Sequence, residues 1–468
     1  MWRFLMKKKF IPKPVGNMTR YLNYTYPNSF FTFLDENKVL SCSTLSSGLT
    51  VATEQRNSPN SCVGIFIDAG SRYESSLEYG VMHFFEHICF KGTENRSKST
   101  LEKEMTATGA KFRCFTTREM VGYYAECLNE CVPMVVDILS DCVFYNSFQC
   151  SELEIQKKIV YSEMLEHEED TKGIVFDYLH QAAFQGTPLS NSILGPSYNL
   201  HNLKNTTVAR HIDKMFAEPR TKFVCVGGIT HDQMEELGNT YLSKSKKNTC
   251  VGSSPYRYTG SELIYRNDSM GIAHIALAVE GPPFHHEDHL KLDLATAVIG
   301  SWDRSQGGGK NNTSHLACFS AGSGFCSHLE SFNIAYKDCG LWGAYFVVSQ
   351  LDVDDMVFKL QSEWIKLCTM MTDSELLRAK MQVKSNLLAK TENVVGACLD
   401  IATSVFYSGC LANIHRRFTE LDRITLNEVK DTCNKYLYDK CPTVAAVGAT
   451  ECLPSYVRTR AAMNWLRV

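Results

Sequence analysis

The feature that most constrains this chain is that it repeats itself. The segment Lys214–Gly228 and the segment Lys435–Ala449 have the same build: an amphipathic helix, a proline-containing loop, then an apolar strand ending at glycine. At a constant offset of 221, Val208, Lys214, Val226 and Gly227 fall on Val429, Lys435, Val447 and Gly448. A chain of 468 residues allows two to four domains. The offset reduces this to two equivalent halves, each just over 220 residues.

Each half alternates short apolar strands with long helical patterns. In the first, Leu49–Thr53 and Cys62–Asp68 read as strands and Gly80–Phe90 as a helix stopped near Gly92. Ser99 and Glu102 have capping-box spacing for a helix over Leu101–Thr108. Ala110–Thr116 and Met120–Cys127 read as a hairpin, and helical patterns cover Cys131–Tyr145 and Ser151–Glu169. In the second half, Ala273–Val279 and Leu341–Ser349 read as strands. His289–Ile299 and the stretches 353–371 and 373–391 read as helices. The expected fold is α+β: two homologous domains, each an antiparallel sheet covered by helices. The small and polar stretch Gly252–Thr259 is the expected linker.

Composition narrows the function classes. The net charge of −3 argues against a generic nucleic-acid binder, and no apolar run is long enough to span a bilayer. The charge is uneven, however. The first 34 residues hold Arg3, Lys7, Lys8, Lys9, Lys13 and Arg20 and no acid, which leaves about −9 on the remainder. Such a basic, acid-free start reads as an organelle transit segment over residues 1–33. The expected units are then 34–251, carrying the site, and 262–468. The 19 cysteines are scattered without a Cys-x-x-Cys pair and read as buried reduced thiols rather than a disulfide framework.

One motif carries chemistry: His83-Phe84-Phe85-Glu86-His87. On a helix His83 and His87 share a face and can converge on one metal ion, with Glu86 close enough to act on water there. Zn²⁺ takes imidazole and carboxylate ligands, lowers the pKa of water and leaves a carboxylate to remove the proton. A third ligand is expected from the helix Ser151–Glu169. Its Glu152, Glu154, Glu163, Glu166, Glu168 and Glu169 are not distinguished by spacing. The cluster His285-His286-Glu287-Asp288-His289 is expected to be a loop and helix start instead.

Gly80–Thr93, with its His-x-x-Glu-His core, resembles the pitrilysin-type zinc peptidases (the inverzincins). So do Phe176–His180, Ile193–Pro196, Trp302–Ser305, Gly340–Gly343 and Val447-Gly448, in order from about residue 34 onward. Within that family the pattern is that of the branch holding processing-peptidase β subunits and bc1 core 1 subunits of mitochondria. The resemblance implies two domains enclosing an acidic cavity, His83, His87 and Glu163 as zinc ligands, and Glu86 as general base. It further implies endoproteolysis of basic presequences in the mitochondrial matrix, in a heterodimer with an α subunit. The alternative it implies is a structural core subunit of the bc1 complex on the matrix face of the inner membrane, or a diverged paralogue with little activity.

The substrate side departs from the family pattern. The family's second glutamate beside the metal is Gln156 here, and the asparagine and alanine of its substrate-binding edge strand are Arg113 and Cys114, before Phe115. The family's glutamate and aspartate that receive a substrate arginine are Gly173, with Lys172 beside it, and Asp177. Asp177, Arg113, Phe115 and Tyr336 are the implied substrate-contacting residues.

Overall fold

The computed structural model describes residues 38–242, 256–305, 309–411 and 413–464. The expected transit segment and the first half of the expected linker lie outside the described residues. The first sheet contains β1 (Lys38–Thr44), β2 (Thr50–Arg56), β3 (Asn60–Ile67), β4 (Lys111–Thr116), β5 (Val121–Leu128) and β6 (Thr221–Gly227). Their order is β1-β2-β6-β3-β5-β4. The second sheet contains β7 (Glu262–Arg266), β8 (Ile272–Gly281), β9 (Ser301–Asp303), β10 (Cys326–Ala335), β11 (Gly340–Ser349) and β12 (Thr443–Gly448). Their order is β7-β12-β8-β11-β10-β9.

The two orders share a five-strand unit. In each, one parallel pair (β2 with β6, β7 with β12) is followed by antiparallel pairings only. The halves differ in where the sixth strand adds: β1 beside β2 in the first, β9 beside β10 in the second. The repeated glycines end corresponding strands with positive φ, 154° at Gly227 and 113° at Gly448. A Cβ would lie 2.0 Å from Ser61 Oγ at the first and 2.3 Å from the Ile272 carbonyl at the second. Both positions therefore require glycine, because the start of the neighbouring strand passes too close for a side chain.

Helices cover both faces of both sheets. Those of the first half include α1 (Val81–Ile88), α2 (Lys98–Thr108), α3 (Val132–Phe144), α4 (Cys150–His167) and α5 (Thr171–Ala183). Val63, Ile65 and Ile67 of β3 face a core built with α1 and α3, while Cys62 and Phe66 face the opposite way. That other face is covered by Ala397, Cys398, Ile401 and Val405 of the helix Val394–Ser408, which belongs to the second half. Reciprocally, Val175, Leu179 and Ala183 of α5 cover Ala276 and Ala278 of β8 and Ala445 and Val447 of β12. The two halves thus exchange equivalent helices, 223 residues apart at their starts. Burial on both faces explains why β3 and β8 read as unbroken apolar runs rather than alternating ones.

Two local expectations shift. The cap of α2 is Ser97, not Ser99: Ser97 is extended and its Oγ accepts from Thr100 N–H at 3.3 Å. Either serine offers the same oxygen, and only the extended backbone at Ser97 selects it. The cluster at 285–289 does start a helix, with His286 capping Glu287–Ile299. The 18 described cysteines form no disulfide with one another, and no described helix is long and apolar enough to cross a membrane.

The halves are also joined by charge. The Arg72 guanidinium donates to Glu119 (2.5 Å) and to both oxygens of Asp338 (2.7 and 2.5 Å), and Lys337 N–H donates to Glu119 at 3.0 Å. The tip of the β4–β5 hairpin is thereby pinned to the tip of the β10–β11 hairpin.

Candidate active site

The site begins with two glycines that let the backbone come close. Gly80 (φ 87°) lies against the Leu194–Gly195 peptide, where a Cβ would meet the Leu194 carbonyl at 2.6 Å. This contact brings together two segments that the sequence resemblance singled out separately. Gly80 supplies no side-chain cap to α1. Instead the buried Glu74 carboxylate accepts from Gly80 N–H at 2.7 Å and Met82 N–H at 2.9 Å. Burial pushes this carboxyl up to about 8, against the pull of those two N–H groups. Glu74 carries no sequence signal, because it lies seven residues before the first residue of the helix it caps.

From that start Val81, Met82, Phe84, Phe85 and Ile88 of α1 enter the first core, leaving His83 and His87 toward α4. There they meet Glu163: His83 Nε2 lies 3.4 Å from one carboxylate oxygen and His87 Nε2 2.8 Å from the other. Candidate ligand atoms of all three lie within 4.8 Å of one another, the one such group among the described residues. The imidazole ring centroids are 4.9 Å apart and the ring planes are inclined at 70°. Burial holds the His83 ring below its ordinary pKa, despite the opposing charge of Glu163. A neutral imidazole with its lone pair free is the form a metal takes. His83 Nδ1 is buried without a hydrogen-bond partner in the structure. This donor set, two imidazoles and a carboxylate converging from two helices, fits zinc.

The helix α4 shows why spacing did not single out Glu163. Glu152 pairs with Lys98 at 3.0 Å and Glu154 with Lys157 at 2.8 Å, while Glu168 and Glu169 are exposed. Only the packing of α4 on α1 separates Glu163 from the rest. Gln156, two turns earlier, is buried at 4% exposure. Glu86 is partly exposed on α1, and its backbone carbonyl accepts from the Cys114 thiol at 3.7 Å. Burial, with the Glu86 carboxylate second, pushes that thiol up to about 12.

Cys114 belongs to β4, the free edge of the first sheet. Arg113 is exposed there, and Phe115 packs on Phe66 and Tyr124 at ring distances of 6.3 and 6.2 Å. Tyr336 lies elsewhere. It is buried between the halves, its hydroxyl donating to His180 Nε2 at 2.6 Å while Nδ1–H of that ring donates to the Phe176 carbonyl. Burial drives His180 down to about 3, which keeps the ring in that neutral form.

A cleft of about 420 Å³ opens beside the triad, lined by Glu163, Glu166, His167, Asp170, Asp177 and Ser192. Asp177 is not free in it: Arg118 donates to Oδ1 at 2.6 Å, while Ser192 (2.8 Å) and His167 (3.3 Å) reach Oδ2. None of these three partners stood out in the sequence. Burial raises the Asp177 carboxyl, but the His167 contact, the Arg118 charge and Ser192 outweigh it and hold it at about 2. Because the folded value lies below the unfolded one, the stabilisation linked to this carboxyl is in place above about pH 4 and lost as pH falls through about 2. Asp177→Asn is expected to remove on the order of 2 kcal/mol at neutral pH and to flatten the acid limb. Thermal unfolding followed from pH 2 to 6 measures both effects.

Comparison with known proteins gives the family and the fold. Residues 50–197 match the profile of Insulinase (Peptidase family M16), and residues 202–383 match the Peptidase M16 inactive domain. The chain is 40% identical over 432 residues to the Bos taurus cytochrome b-c1 complex subunit 1, mitochondrial, covering 91% of this chain and 89% of the relative. It is 37% identical over 425 residues to the Bos taurus mitochondrial-processing peptidase subunit beta, covering 90% and 87%. Among solved structures, a chain of complex III2 from Candida albicans superposes with a TM-score of 0.82 at 25% identity, covering 91% of this chain and all of that one. With its two-sheet architecture, its duplicated topology and matches of this length, the chain belongs to peptidase family M16.

Proposed function

We propose that this protein is a zinc-dependent endopeptidase subunit of the mitochondrial-processing type, removing basic presequences in the matrix with an α-type partner. The observation that carries the reading is the convergence of His83, His87 and Glu163 from two helices, with Glu86 on the same turn as His87. Zinc held there would supply Lewis acidity, lowering the pKa of water and polarising a peptide carbonyl. Glu86 would take the proton from the attacking water and return it to the leaving amine. The free edge of β4 would receive the peptide as an added strand, with Arg113 and Phe115 on one of its faces. Residues 1–33 would be the removable leader, 34–251 the catalytic unit and 262–468 its non-catalytic counterpart. The names of the relatives support the mitochondrial assignment.

A second reading, a core subunit of a respiratory complex III, is favoured by one observation: the carboxylate of Asp177 is already satisfied within the chain. Co-expression with an α-type subunit, metal analysis and assay on a basic presequence peptide decide between them. The expected result is one zinc per chain and cleavage lost on chelation. Zinc without cleavage, together with isolation among respiratory-complex subunits and no α-type partner, would establish the second reading.

A further inference from the structure

Asp177 sits on α5 facing the cleft, one turn after Gly173. A Cβ at residue 173 would lie 2.7 Å from His167 Cε1 and 2.7 Å from Asp170 Oδ2. The missing side chain is therefore what allows the His167 ring, at the end of α4, to cross the α4–α5 turn and reach Asp177 at 3.3 Å. Arg118 comes from the opposite side, the β4–β5 hairpin, and is itself buried at 8% exposure. With Ser192, these two use both oxygens of the carboxylate. Of the remaining acids of the cleft wall, Glu163 is engaged by His83 and His87, and Glu166 and Asp170 are exposed, so each offers a cation little.

We propose that His167 determines which substrate side chain this cleft accepts: by occupying Asp177 together with Arg118, it removes the acceptor for a basic residue and leaves a place for an uncharged one. Gly173 is the permissive partner of His167, since any side chain at residue 173 would displace the ring. This inference rests on the peptidase reading, and it makes His167 a specificity residue that takes no part in the chemical step.

The test uses the zinc-loaded complex with its α-type subunit and pairs of presequence peptides. Each pair is identical except for arginine or its neutral isostere citrulline at one residue preceding the cleaved bond. The wild-type protein is expected to treat the two alike, within about threefold in KM. His167→Val takes one of the two donors from Asp177 Oδ2, leaving Ser192 on it, and is expected to favour arginine about tenfold through KM, with kcat little changed. His167→Gln, which keeps a donor toward Asp177, is expected to behave as the wild type. A wild-type preference for arginine of tenfold or more, lost in Asp177→Asn, would overturn the proposal. An unchanged ratio in His167→Val would overturn it as well. Fluorescence anisotropy with the same peptides on the Glu86→Gln protein reads the ratio without turnover, so loss of the peptidase reading is seen separately. Failure of either peptide to bind both the parent and its His167→Val derivative counts against the inference.

Discussion

Glu86→Gln is expected to lower kcat/KM for presequence cleavage by roughly 10²–10⁴-fold, the contribution of a positioned general base. The amide keeps the size of the carboxylate and its hydrogen-bonding reach but has no basicity. Metal content is expected to stay at one zinc per chain, since the three ligands are His83, His87 and Glu163. Stability is expected to change by less than about 0.5 kcal/mol, because the Glu86 side chain is partly exposed and glutamine keeps its size and hydrogen-bonding reach. His87→Ala should differ in kind: it removes one of three ligands, so zinc content and activity fall together. Metal analysis beside single-turnover cleavage separates the two variants. Equal activity of Glu86→Gln and the parent would exclude Glu86 as the base.

Arg72→Met is expected to destabilise the protein by about 3–5 kcal/mol, as loss of one partner from a buried charge pair does. The Arg72 and Glu119 side chains are 1% and 0% exposed, so water cannot replace the missing cation around Glu119. Desolvation already holds Glu119 above its ordinary pKa even with Arg72 beside it. Asp338, a third exposed, should cost less when replaced by asparagine, because solvent screens it. Arg72→Met combined with Glu119→Gln should recover much of the loss, since the uncompensated charge is then gone. Urea unfolding of the four proteins measures this directly. Because Arg72 and Asp338 lie in different halves, limited proteolysis should also show the halves separating more readily in Arg72→Met.

The duplicated architecture and the pair of histidines were readable along the chain, while the chemistry around them was not. Val226-Gly227 and Val447-Gly448 announced the repeat because a glycine forced by a passing strand leaves the same trace twice. His83 and His87 announced a metal site because helical geometry puts residues four apart on one face. Nothing local marked the exchange of α5 and the helix Val394–Ser408 between the halves, since an apolar helix face does not name the sheet it will cover. The cap of α2 was misplaced by two residues for a similar reason: Ser97 and Ser99 differ only in the backbone conformation they adopt.

Short-range order therefore determined the strands, the helices, the two halves and the His-x-x-Glu-His turn, each written in neighbouring residues. Tertiary structure brings Glu163 to the histidines, a choice that spacing left open among six glutamates and only the family resemblance had named; it alone decided that Glu74 caps α1 and that Asp177 is claimed by Arg118, His167 and Ser192. The physical reason is range. Periodicity and capping act over one or two turns, whereas a carboxylate's role depends on what burial and packing bring within about 3 Å of it, across separations of 59 residues for Arg118 and 76 for His87 with Glu163.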